Sequence, residues 1–284
     1  MNERLPVLKT YKLFIGGKFP RTESGRARAL KGKAGRLIAN VSLASRKDFR
    51  NAVVAARAAF PGWSGATAYL RGQILYRAAE MLEGRAAQFA DELNAQGTPP
   101  ARARREVADA IDLLVHYAGW TDKFPALFST VNPVASAHFN FSVPEPTGIV
   151  AVIAPPAPGL LGFIAAIAPV IAGGNTAVAL ASPDFPLSAI SLAEVLHDSD
   201  LPGGVVNILT GDLAELLPHL STHMDVNGIA AHGQSDETHR LLRENAALNI
   251  KRLALHPATN LSGDPYKILA FQETKTTWHP THLR

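Results

Sequence analysis

GIVAVIAP, residues 148–155, opens a stretch from Gly148 to Pro183 that holds no charged side chain. Within it, Val150 to Ala172 is long enough to cross a bilayer as a helix. Pro155, Pro156, Pro158 and Pro169 interrupt that run, and Gly159 and Gly162 loosen it near the proline cluster. A membrane helix keeps prolines only where neighbours restore the lost hydrogen bonds. The stretch therefore reads as a buried strand, a turn, and a helix from Leu161 to Ile171 that is covered on most sides. Membrane insertion is not expected.

The same rhythm continues toward the C-terminus. NTAVALA forms a second strand and Leu187 to His197 a helix; GVVNILTG is a third strand, followed by the short helix DLAELLPHL. MDVNGIAAHG supplies another strand, Ser235 to Ala247 a helix, and IKRLALHP a fifth strand. Short apolar strands alternating with helices predict an α/β fold with an open, parallel, Rossmann-like sheet whose carboxyl edge carries any ligand. Gly173 and Gly174 are expected to end the first of these helices through a left-handed cap. No internal repeat is evident.

Toward the N-terminus the pattern changes. Residues 11–19 and 35–43 read as short strands joined by the polar connection SGRARALKGK, with Gly16 and Gly17 as a hairpin turn. Ser45 followed by Asp48 predicts a capping box opening a helix through Phe60. A second helix is expected from Thr67, turning Leu70, Ile74, Leu75, Leu82, Phe89 and Leu93 to the core until QGTPP stops it. A third, Ala101 to Trp120, presents Val107, Ile111, Leu114 and Val115. The expected organisation is residues 1–136 as N-terminal strands and helices, 137–147 as an alternating segment, 148–259 as the Rossmann-like units, and 260–284 as a tail.

Composition narrows the chemistry. The 284 residues are 47% hydrophobic and include no cysteine, which excludes a disulfide, a thiolate metal site and a thiol nucleophile. The first fifty residues hold 13 Lys or Arg against 3 Asp or Glu, so with a net charge of +4 the remainder carries −6. Basic and apolar residues alternate there, as in KLFIGGKF, which reads as a solvated strand face rather than a nucleic-acid surface. His219 and His223 lie four apart, but Pro218 and the polar LSTH run predict a loop, and no third ligand completes a metal site. Ser24, Ser182 and Ser262 stand in no nucleophile-elbow pattern. With no targeting or membrane feature apparent, a cytoplasmic location is expected.

The phrases YKLFIGGKF, GIVAVIAP, PVIAGGNTAVAL, LPGGVVNILTG, MDVNGIAAHG and IKRLAL occur in the order found in the cofactor-binding half of the aldehyde dehydrogenase superfamily, which residues 10–256 resemble. The tail PYKILAFQETKTTWHP resembles that family's C-terminal oligomerisation strand, and the large catalytic domain normally lying between is missing. In particular, the chain resembles the catalytically silent second unit of the aldehyde dehydrogenase 16 type, or a stand-alone counterpart of it, and the resemblance implies oligomerisation through residues 137–147 and 260–284.

The resemblance also implies where chemistry has been lost. The family's Pro-Trp-Asn motif, whose asparagine stabilises the oxyanion, reads Pro155, Pro156, Ala157. Removing one such donor typically costs about 3 kcal/mol of transition-state stabilisation. The Lys-Pro-Ser-Glu that holds the adenosine ribose reads Leu180, Ala181, Ser182, Pro183, which offers neither ammonium nor carboxylate. Where a glycine turn should bring pyrophosphate to a helix start, the run is Gly233 to Thr238 and places Asp236 and Glu237 in the first turn. Gly233 and Gln234 are the residual candidates for cofactor contact. The general-base glutamate falls at His256.

The resemblance thus implies a protein without catalytic residues that acts through oligomerisation, as a homodimer or joined to an active aldehyde dehydrogenase. No cofactor is expected. Two alternatives remain: a module with weak NAD or NADP affinity, and an oxidoreductase subunit whose nucleophile comes from an active partner.

Overall fold

The computed structural model describes residues 8–32 and 35–281. It begins with β1 (Thr10–Tyr11), β2 (Ala27–Lys31) and β3 (Leu37–Ser42), which form a small sheet in the order β1-β3-β2. Two expectations are corrected here. ARALK, assigned to a polar connection, is strand β2, antiparallel to β3. The strand expected over 11–19 is mostly a tight turn: Gly16 and Gly17 both have positive φ, and Ile15 and Lys18 exchange backbone hydrogen bonds. Phe14 meanwhile exchanges two backbone bonds with Ile208 and so closes one edge of the main sheet.

Helix α1 (Arg46–Ser64) starts at the predicted capping box and runs past Phe60. Asp48 is buried and accepts hydrogen bonds from Thr22 Oγ1 at 2.6 Å, Ser45 N at 2.8 Å and Glu23 N at 3.1 Å. Burial pushes its pKa up, but these bonds outweigh that penalty and hold the carboxyl below the ordinary value. The single helix expected from Thr67 is two, α2 (Ala68–Gly84) and α3 (Ala86–Ala95), broken at Arg85. Leu70 is 46% exposed and Val115 40%, so neither joins the core as expected. The periodicity was right for Ile74, Leu75, Leu82, Phe89 and Leu93, whose face is the one covered by α4 (Pro100–Trp120).

Next come α5 (Lys123–Phe128), β4 (Thr130–Asn132), β5 (His138–Pro146), β6 (Ile149–Ile153), α6 (Leu160–Ala172), β7 (Thr176–Leu180) and α7 (Pro186–Asp198). They are followed by β8 (Val206–Leu209), α8 (Leu213–Thr222), β9 (Gly228–His232), α9 (Asp236–Ala247), β10 (Arg252–His256), α10 (Pro265–Leu269) and β11 (Gln272–Pro280). The five central strands are parallel in the order β10-β9-β6-β7-β8, with helices on both faces, an α/β fold as the strand-helix alternation predicts. Their side chains divide by alternation. Val150, Val152, Ala177 and Ala179 pack with α6 and α7, whereas Ile149, Ala151, Ile153 and Val178 pack with α1 and α8.

The long uncharged stretch is accounted for by this burial. β6, β7 and nearly all of α6 are covered by protein, and among the described residues no helix is long and apolar enough to cross a membrane. At the end of α6, Gly174 takes φ +89° and donates to Ile171 O at 3.0 Å, while Asn175 N donates to Val170 O at 3.3 Å. Those two bonds are the Schellman pattern. Trp63 Nε1 satisfies Ile171 O as well, and Arg71 Nε reaches Ala172 O.

Two further expectations change in the second half. The loop expected around His219 is the last turn of α8, which tolerates Pro218 because Leu216, Leu217 and Leu220 bury one side of it. In the tail, Tyr266 to Leu269 is helix α10 rather than strand. The strand begins at Gln272 and pairs with β5 over its whole length, Gln272 opposite Pro146 and Pro280 opposite His138. With β4 they make a third sheet, antiparallel throughout, in the order β11-β5-β4. Within the single chain Trp278 lies on this sheet against the His138 ring and is 57% exposed.

Candidate functional site

In open parallel sheets ligands bind outside the carboxyl ends of the strands, where neighbouring crossovers leave on opposite sides. Here that point lies between β6 and β9, and the residues singled out by sequence gather around it. β6 runs into Pro155–Pro156–Ala157, β7 into Ala181–Ser182–Pro183, β9 into Gly233–Gln234, and β10 ends at His256.

Gly233 makes the left-handed turn from β9 toward α9, with φ +63°. Its N–H donates to His256 O at 2.8 Å. A Cβ at this position would lie 2.7 Å from Ala258 Cβ and 3.1 Å from Pro156 Cδ, so the space beside the glycine is taken by protein. The Gln234 amide turns inward, where Nε2 donates to His232 O at 2.7 Å and to Ala154 O at 3.3 Å, tying the ends of β9 and β6 together. Ser235 caps α9 by accepting from Thr238 N at 3.3 Å, and Asp236 and Glu237 stand exposed in its first turn.

The neighbouring wall is equally committed. Leu180 and Ala181 are buried, Ser182 Oγ donates to Pro156 O at 2.8 Å, and Arg28 of β2 reaches Pro183 O at 2.5 Å. Between these walls a cavity of about 120 Å³ remains, lined by Ile153, Leu180, Ala181, Gly211, Leu213 and Gln234. Drug-sized ligands occupy roughly 300–1,000 Å³.

His256 packs its ring 4.7 Å from that of His232, and its Nδ1 lies 3.4 Å from Asn260 Nδ2. Burial, then the proximity of His256 and Lys267, pushes His232 down to about 3; burial and Lys267 lower His256 too. Both imidazoles are therefore neutral near pH 7, and His256 could chemically accept a proton. No sulfhydryl exists in the chain for it to activate.

Two contributors escaped the sequence reading. Glu106 of α4 is buried and accepts from Leu160 N at 2.8 Å and Leu161 N at 3.4 Å, capping α6 from a distance. Burial raises its pKa against the opposing effect of those bonds. The available signal was its position: Ala103, Glu106, Ala110 and Leu113 share the buried side of α4, a place where a carboxylate needs a partner. Lys267 of α10 is also buried and donates to Asn260 O at 2.8 Å and Ser262 O at 2.9 Å, fixing the loop after β10. Only eight residues, 257–264, separate β10 from α10.

Comparison with known proteins agrees with this architecture. The chain is 30% identical over 259 residues to mouse (Mus musculus) cytosolic 10-formyltetrahydrofolate dehydrogenase, covering 89% of this chain and 29% of that protein. It is 33% identical over 260 residues to the mitochondrial benzaldehyde dehydrogenase of Antirrhinum majus, covering 88% and 47%. The structure of aldehyde dehydrogenase from Bacillus cereus as an NAD+ complex superposes with a TM-score of 0.83 at 26% identity, covering 87% of this chain and 51% of that one. The chain thus spans about half the length of most relatives it matches, and less than a third of the mouse protein. A family model described as "Aldehyde dehydrogenase family" matches residues 20–260, so the strand order, the crossovers and the sequence agree that this chain belongs to the aldehyde dehydrogenase family.

Proposed function

We propose that this chain is a non-catalytic aldehyde dehydrogenase-like subunit that acts by assembling, with a second copy or with an active aldehyde dehydrogenase. The observation that carries this reading is the sheet β11-β5-β4. Among the described residues β11 is paired on one side only and is mostly exposed along its length, with Trp278 on it and Phe139 on the adjoining β5 at the surface. An open edge with apolar neighbours favours pairing with another chain, because association satisfies its backbone groups and buries the side chains.

The chemistry around the sheet edge supports the non-catalytic part. The chain has no thiol, and Ala157 stands at the register of the family's oxyanion asparagine. Its own residues therefore lack both the nucleophile and one stabilising donor for aldehyde oxidation.

The test is light scattering coupled to size-exclusion chromatography, with and without a full-length aldehyde dehydrogenase from the same cell. A defined homo-oligomer or a co-eluting hetero-oligomer is expected. A monodisperse monomer under both conditions would sink the assembly reading, and aldehyde turnover by the purified chain would sink the non-catalytic one.

A second reading, weak NAD or NADP binding, has in its favour only the left-handed turn at Gly233 leading into the start of α9 at the carboxyl edge, and the packing of Pro156 and Ala258 beside that glycine opposes it. Calorimetric titration with either dinucleotide tests it.

A further inference from the structure

We infer that the crevice at the carboxyl edge is clasped shut from within, with Gln234, Pro156 and Ala258 filling the space a dinucleotide would need. The inference is independent of whether the chain assembles.

Three relationships support it. First, the cradle beside Gly233 is full: its glycine conformation serves contact with Pro156 and Ala258, not the approach of a phosphate. Second, two donors at this turn are spent internally. Gly233 N is bonded to His256 O, and Gln234 Nε2 to His232 O and Ala154 O. Third, the loop that carries Ala258 is held from the other side. Lys267 binds the carbonyls of Asn260 and Ser262, so helix α10 keeps Ala258 seated against Gly233.

Charge reinforces the geometry. A pyrophosphate at the start of α9 would meet Asp236 and Glu237, which already complement the positive end of that helix. The residues present consequently do not fit a dinucleotide. They form a structural clasp between β6, β9 and the loop after β10, and Gln234, a candidate for cofactor contact on sequence grounds, is the residue that closes the crevice.

Because the chain contains no cysteine, a single introduced thiol reports on closure without background. Ala181→Cys places it in the residual cavity, and its labelling rate by a maleimide measures how often the clasp opens. Slow labelling is expected compared with Ala247→Cys on the exposed side of α9. Adding Gln234→Ala removes the amide's two hydrogen bonds and should speed labelling of Ala181→Cys by about tenfold. NAD at millimolar concentration should leave the rate unchanged. Leu213→Cys on the opposite wall gives the same readout should Ala181→Cys fold poorly. Labelling of either crevice thiol as fast as Ala247→Cys with Gln234 intact would overturn the inference. So would saturable protection by NAD, or saturable NAD binding to the unaltered chain in a calorimeter.

Discussion

The carboxylate of Glu106 lies 2.8 Å from the backbone nitrogen of Leu160, so the first turn of α6 is capped by a side chain from α4. Helix starts leave several N–H groups without intrahelical partners, and this one is buried, where water cannot serve them. No local capping residue does the work, since Gly159 has no side chain.

Glu106→Ala should therefore destabilise the fold by about 1–3 kcal/mol, the cost of leaving buried donors unsatisfied. Glu106→Gln should lose less, because an amide oxygen can still accept from Leu160 N. Urea midpoints of the two variants check the order. Equal midpoints would mean that the contact contributes little.

Acidification should weaken the protein before its carboxylates titrate. His232 has a folded pKa of about 3 against an ordinary 6.5, chiefly because it is buried. Between those values the unfolded chain binds more protons than the folded one. Stability is thus fully present above pH 6.5 and is lost as pH falls toward 3. On the order of 2 kcal/mol should be gone by pH 5, taking one proton and a charge-linked slope of about 1.4 kcal/mol per pH unit. His232→Asn should flatten the slope of urea midpoint against pH between 6.5 and 5; an unchanged slope would remove His232 as its source.

Gly174 is a position where a side chain is costly for backbone reasons. Its φ of +89° is in the left-handed region, where any side chain is strained, although an added Cβ would meet Pro146 Cγ at an ordinary 3.4 Å. Gly174→Ala should lower stability by about 1–2 kcal/mol. Gly84, whose φ is ordinary and whose added Cβ meets nothing within 4 Å, is the control. Gly84→Ala should be neutral or slightly stabilising, since alanine is the better helix former. Thermal unfolding of the pair gives the comparison.

Association through the antiparallel sheet makes its own demand. Phe139 and Trp278 are exposed on β5 and β11, so replacing both with serine should change the urea midpoint little. In the proposed assembly the same change should weaken association at least tenfold, through loss of apolar burial. Light scattering over a dilution series reads this directly. An oligomer of unaltered stability would place the interface elsewhere.

Much of the fold is legible along the chain because its signals are local. The alternation of short apolar runs with helices fixes parallel crossovers, Ser45 and Asp48 announce the start of α1, and Gly173–Gly174 announce the end of α6. The residues singled out by motif comparison lie at the carboxyl ends of β6, β7, β9 and β10 or on the turns that follow them. Misreadings arose where a partner outside the segment itself decides the outcome. ARALK becomes a strand because β3 offers it an edge, and Leu70 and Val115 stay outside because the helix packing leaves their sides uncovered.

The sequence by itself determined the α/β class and the want of a thiol, since each depends only on which residues stand at which positions along the chain. Tertiary structure alone decided how the remaining polar groups are used. Gln234 can hydrogen-bond many partners, but it binds His232 O and Ala154 O because β6 and β9 are neighbours in the sheet, although far apart in sequence. Glu106 caps α6 and Lys267 holds the loop after β10 for the same reason: a buried charged or polar side chain must find a partner, and the fold determines which one is within reach.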